Sequence, residues 1–165
     1  MKSIYRHLFG ILTTMVLYGC SSIECSLNGQ VLCHYTILDA DSKEDVVTCP
    51  LTVTFLQTAF DCDTVYINHS TNVKAFDLPM SNAAETDMFA ITLNVDENTT
   101  VADTVYVKKT NEPWFESVDC AARYNHKIEH VSSTHNFIDT LIVSNPKVSN
   151  DPTVKNINIC LRRSY

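Results

Sequence analysis

The sequence predicts an all-β protein: a single antiparallel β-sandwich of about eight to ten short strands behind a signal peptide. Three observations lead there. Val, Ile and Thr supply 45 of the 165 residues, and β-branched side chains favour a pleated surface. Runs alternating with period two recur at close spacing, bounded by clusters of Asn, Asp, Ser and Pro. No window sustains a helical stripe, and Ser81–Asp87 offers one helical turn at most.

The elements follow in chain order. Met1–His7 is basic, and Leu8–Tyr18 is an apolar run of about 11 residues, against roughly 20 needed to cross a bilayer. This is the layout of a secretory signal peptide, and Leu17-Tyr18-Gly19-Cys20 resembles a bacterial lipobox, with Tyr18 bulkier than is usual there. That resemblance implies removal of residues 1–19 and acylation of Cys20. Residues 20–27 read as a tether and residues 28–165 as the sandwich domain, with Asn28-Gly29 suited to a hairpin turn. The predicted strands are Val31–Leu38, Leu51–Thr58, Thr64–Ile67, Val73–Leu78, Met88–Val95, Thr104–Lys108, Trp114–Val118, Arg123–Val131, Phe137–Val143 and Asn156–Leu161. The predicted turns include Asp39–Asp45, Asn68–Asn72, Asp96–Thr100 and Asn145–Pro152.

Charge and glycine content exclude several function classes. Without Lys2 and Arg6 the chain keeps 10 basic against 19 acidic residues, a net charge of −9. That argues against nucleic acid, whose phosphates need clustered Lys and Arg, and against a polybasic grip on anionic lipid. Past Cys20 the chain has a single glycine, Gly29. A phosphate-cradling loop or a dinucleotide fold needs several at fixed spacing, and no cofactor is expected.

Six cysteines remain once Cys20 is acylated: Cys25, Cys33, Cys49, Cys62, Cys120 and Cys160. An even set in an oxidising compartment reads as disulfides, with 15 pairings open. A metal cluster is disfavoured because no Cys-x-x-Cys pair exists. His126, His130 and His135 invite a zinc reading, but on a strand residues four apart are separated by about 13 Å, so they read as surface or strand-end histidines and no metal ligand is assigned. The Asp39–Asp45 segment begins like a calcium loop, then has Lys43 at the fifth position and no Gly at the sixth; it reads as a solvated acidic turn. Cys120 is flanked by Glu116 and Asp119, which oppose a thiolate, so no catalytic residue is assigned. Trp114 and Phe115 follow Pro113. Adjacent strand residues face opposite ways, so one of the two rings is a candidate binding aromatic.

Asp63-Thr64-Val65, Asp103-Thr104-Val105 and Asp139-Thr140-Leu141 form an internal echo at intervals of 40 and 36 residues. It reads as three strands sharing one turn-to-strand signal. Leu78-Pro79, Asp103-Thr104-Val105, the run from Pro113 to Cys120, and Thr134–Asp139 together resemble a family of uncharacterised Bacteroidota lipoproteins grouped under a domain of unknown function. Ala121 departs from the family's frequent Gly. The resemblance implies an exported, β-rich lipoprotein and brings no activity, substrate or catalytic residue. It also implies a bridge from Cys120 to Cys25 or Cys33. The Asp-Thr-Val and Asp-Thr-Leu triplets resemble the short O-glycosylation sequon of exported proteins of that phylum.

The expected role is a non-enzymatic binding or assembly module, held to the membrane through Cys20 and meeting an envelope protein or glycan. The alternatives are a hydrolase using scattered carboxylates and a fimbrial-type subunit that exchanges strands. Ser21-Ser22-Ile23-Glu24 lacks an acidic run resembling a surface-export signal, so the periplasmic side of the outer membrane is favoured over the cell surface.

Overall fold

The computed structural model describes residues 25, 30–56, 62–149, 151 and 153–162. The signal peptide, Cys20, the Asn28-Gly29 turn and Gln57-Thr58 lie outside the described residues. Among the described residues ten strands form: β1 Leu32–Leu38, β2 Leu51–Phe55, β3 Thr64–Ser70, β4 Ala75–Pro79, β5 Thr86–Asn94, β6 Thr100–Trp114, β7 Arg123–Ser133, β8 Ile138–Val143, β9 Lys147–Val148 and β10 Ile157–Leu161. They build a four-stranded sheet ordered β4-β1-β10-β8 and a six-stranded sheet ordered β3-β2-β5-β6-β7-β9. No helix forms among the described residues.

The alternation seen in the sequence sets which side chains meet between the sheets. In β5, Asp87, Phe89, Ile91 and Leu93 are buried while their neighbours are half-buried or exposed. The opposing sheet supplies Tyr35, Ile37, Phe76, Leu78, Ile157 and Ile159 to the same core. Tyr35 joins the layers: its ring stacks on Phe76 at 5.2 Å and meets Phe89 of the other sheet edge-on at 6.3 Å. Such aromatic contacts add to the burial of apolar surface that drives the sheets together.

Three features differ from the expectation. First, β1 and β10 run parallel, Tyr35 opposite Ile157 and Leu38 opposite Cys160; every other pairing of named strands is antiparallel. A parallel pair needs a long crossover, and here the whole intervening chain supplies it. Second, Trp114–Val118 is not a strand. Trp114 instead ends the 15-residue β6, and Pro113 is tolerated because that stretch pairs on one side alone, with β7. Third, β9 forms from Lys147 and Val148 inside the segment expected to be a turn, pairing with His126 and Lys127.

Two local devices shape the large sheet. Lys108 lies opposite His130 and Lys109 opposite Ile128, so β7 carries one extra residue, Glu129, as a bulge. The bulge keeps His126 and Ile128 inward and turns His130 outward. The other device is Asp103, buried in β6. Its carboxylate accepts the Thr134 hydroxyl at 2.6 Å and the amides of Asn136, Phe137 and Ile138 at 2.7, 2.8 and 2.8 Å. One carboxylate thereby shapes the turn that carries the chain from β7 in one sheet to β8 in the other. Burial would raise its pKa, but these bonds outweigh burial and hold it below the usual value.

Candidate functional site

Pairing between β5 and β6 reaches Lys108, whereas β6 and β7 stay paired as far as Trp114 and Arg123. The end of β6 and the start of β7 therefore form a hairpin arm. A polar group is buried at its base, and an apolar tip stands at its end.

At the base, Lys109 continues the inward parity of Val105 and Val107, and Asp87 that of Phe89 and Ile91. Their charged groups stand 3.4 Å apart with no side-chain exposure at either. Lys109 Nζ donates to the carbonyls of Ser81 and Ala84, and the Ser81 amide donates to Asp87 Oδ2 at 3.2 Å. The pair thus fastens the 81–85 loop over the core. Burial pushes the Asp87 carboxyl up to about 6, with Lys109 and the Ser81 amide resisting. Burial likewise lowers the Lys109 ammonium, against the pull of Asp87.

Asn111 extends this network. Its Nδ2 donates to the carbonyls of Asn82 and Ala84 at 3.0 and 3.1 Å, which fixes the amide and leaves Oδ1 as an acceptor. His126 Nδ1 lies 2.8 Å from that oxygen, so Nδ1 carries the proton. Nε2 is then a bare lone pair, buried without a partner. Burial first, and the Lys109 charge second, depress His126 to about 4. The bulge at Glu129 places His126 inside rather than at the surface or strand end expected of it.

A depression of about 420 Å³ opens above this network, lined in part by Glu85, Lys108, Asn111 and Glu129. Glu129 already accepts the Thr110 hydroxyl at 2.5 Å and faces Lys108 Nζ at 3.5 Å. Among the described residues no three His, Cys, Asp or Glu side chains gather as they would around a metal ion. His130 and His135 are exposed, and His135 Nδ1 contacts the Asp139 carbonyl at 3.0 Å. The Asp39 carboxylate accepts the amides of Asp41 and Lys43 at 2.8 and 2.9 Å, closing its own turn.

The tip separates the two candidate aromatics. Trp114 is half-buried, with the Arg123 guanidinium 5.5 Å over its ring, while Phe115 is 64% exposed and Val118 96%. Arg123 also faces Glu116 at 3.7 Å. Cys120 closes the tip and is bonded to Cys25, with Cα atoms 5.7 Å apart. Of the two partners implied for Cys120, Cys33 is taken up instead by the core, where its side chain is buried in β1 and burial pushes its thiol up to about 12.

Cys33, Cys49, Cys62 and Cys160 are free, which corrects the expectation that all six cysteines pair. Register gives the reason. Cys160 sits opposite Leu38, five residues along β1 from Cys33, about 17 Å at strand rise, where a bridge needs Cα atoms within about 7 Å. Cys49 precedes β2 and Cys62 precedes β3. Leu51 pairs with Ser70 and Phe55 with Thr64, so the two cysteines lie at opposite ends of one antiparallel pair.

The three echoed triplets occupy different settings. Asp63 and Asp139 are exposed near the starts of β3 and β8, whereas Asp103 is buried inside β6. Thr140 is exposed on the edge strand β8, and Thr64 and Thr104 are half-buried. Lys109 and Asp87 were missed as interior groups, although the parity of their strands marks them.

A family model matches residues 50–161, and its description is "Family of unknown function (DUF6452)". The matched span holds β2 to β10, with Cys120 inside it and β1 and Cys25 before it. No curated protein and no solved structure matches the chain.

Proposed function

The chain belongs to the family of unknown function DUF6452, and on that premise we propose that it is a non-enzymatic module of the bacterial cell envelope, held to the outer membrane by acylation of Cys20. The observation that carries this reading is the Cys25–Cys120 disulfide. A structural bridge belongs to an oxidising, exported compartment, and this one ties the domain to the segment just after the lipobox. The interior polar groups support a binding or assembly role over catalysis. Asp103 serves the β7–β8 turn, Asp87 and Lys109 fasten a loop, and His126 is directed at Asn111. The surface left for a partner is acidic, with an apolar hairpin tip at one end. The partner is an envelope protein or glycan on the periplasmic side.

Fractionation of cells expressing Cys20→Ala tests the reading. The variant is expected in the soluble fraction with its disulfide intact, while the unaltered protein stays with membranes in high salt. Membrane retention of the variant in high salt would refute lipid anchoring. Affinity capture of the lipidated protein from solubilised envelope, followed by identification of what stays bound, tests the binding role.

A further inference from the structure

The tip of the β6–β7 arm and the head of the chain are joined, and one inference follows that rests on the anchored reading above. Cys120 closes the tip, its amide donating to the Ser117 carbonyl at 3.1 Å, and its sulfur is bonded to Cys25. Cys25 is five residues past Cys20. Five residues reach at most about 18 Å. The start of β1 brings the chain to the same end of the sandwich. Leu32 pairs with Pro79, the Met80 amide donates to the Val31 carbonyl, and the 81–85 loop that follows is held by Lys109 at the base of the arm. The most exposed apolar side chains of the tip, Phe115 and Val118, are therefore tied close to the residue that carries the acyl chains.

We propose that the tip is a second membrane contact, with Phe115 and Val118 inserting into the headgroup–acyl boundary of the bilayer that holds the lipid of Cys20. The bilayer is the occupant that a tether this short delivers. The contact is apolar rather than electrostatic. Glu112, Glu116 and Asp119 fall within the tip segment of the sequence, and Arg123, at the start of β7, is engaged with the Trp114 ring and Glu116. Two such side chains bind a bilayer marginally by themselves. A short tether raises the effective concentration to about the millimolar range, which keeps a weak contact occupied. The consequence is a fixed posture: the arm points at the membrane, and the far ends of the sheets, with the Asp39–Asp45 and Asp96–Thr99 loops, face away from it.

Trp114 is the sole tryptophan of the chain and adjoins Phe115, so it reports on the tip. The full-length lipidated protein is reconstituted into phosphatidylcholine vesicles with plain or brominated acyl chains, and vesicle flotation and Trp114 emission are measured together. The expected result is flotation with both vesicles and loss of emission in the brominated ones. Phe115→Asp/Val118→Asp, at exposed positions, is expected to float equally and to lose the quenching, with an unchanged melting temperature. Cys25→Ser/Cys120→Ser is expected to float and to be quenched less. Flotation of the unaltered protein with equal emission in the two vesicles would overturn the tip contact while leaving the anchor standing. Quenching that survives in Phe115→Asp/Val118→Asp would overturn the assignment to these two residues. Failure of the unaltered protein to float with either vesicle would overturn the anchor and the tip contact together.

Discussion

Lys109 Nζ stands 3.4 Å from Asp87 Oδ1, between two strands whose remaining inward side chains are almost all hydrocarbon. The pair is completed from outside the sheet, by the carbonyls of Ser81 and Ala84 and the amide of Ser81. Removal of one member leaves a buried charge with no counter-ion. Asp87→Ala and Lys109→Met are each expected to cost about 3–5 kcal/mol, with the double variant far less destabilised than the sum of the two. Urea unfolding of the four proteins measures the coupling. Additive losses would show that the two charges do not hold each other.

His126 makes a pH-dependent contribution of known sign. Its folded pKa, depressed by burial to about 4, lies below the ordinary 6.5. The unfolded chain therefore binds the proton more readily, and stability from this residue is present above pH 6.5 and lost as pH falls toward 4. His126→Gln keeps a donor for Asn111 Oδ1 and removes the titration. Relative to the unaltered protein, the variant is expected to gain about 3 kcal/mol between pH 7 and pH 4. Asp87 titrates in the opposite sense: its raised folded pKa gives stability that is lost as pH rises from 3.8 through about 6. The comparison is read as a difference between two proteins that share Asp87. A pH-independent difference would defeat the assignment of a buried, neutral His126.

The four free thiols are expected to react in order of access. Cys62 is exposed, Cys49 half-buried, and Cys33 and Cys160 buried. Pulsed alkylation of the folded protein followed by mass spectrometry is expected to label Cys62 first and Cys49 more slowly. Cys33, whose thiol is pushed up to about 12, and Cys160 are expected to label on unfolding alone. Cys25 and Cys120 stay unlabelled until reduction. Labelling of Cys33 at the rate of Cys62 would contradict the position of β1 in the core.

The strands were legible where alternation alone decides the outcome, as in Thr86–Asn94, where every second residue is buried. They were less legible where a partner decides. Lys147-Val148 has no strand pattern of its own and becomes β9 because His126 and Lys127 present an open edge. The bulge at Glu129 inverts the facing of β7 partway along, so no single alternation describes Arg123–Ser133. Trp114 and Phe115 were identified as a pair facing opposite ways, but their place at the end of a strand depends on how far β6 and β7 stay paired. Disulfide partners depend on register between distant strands, which residue spacing does not encode.

The first and last strands adjoin, with Tyr35 opposite Ile157 across 122 positions of sequence. β1 meets β4 early in the order of synthesis, but its other edge stays bare until β10 is made. β1 therefore waits with one row of amides and carbonyls unpaired while the rest of the chain is made. Contacts of such long separation form slowly, and an unpaired strand edge invites foreign strands. The interval between arrival of β1 and arrival of β10 is thus the stage at which this chain is most open to mispairing, and loss of the last strand would make that stage permanent.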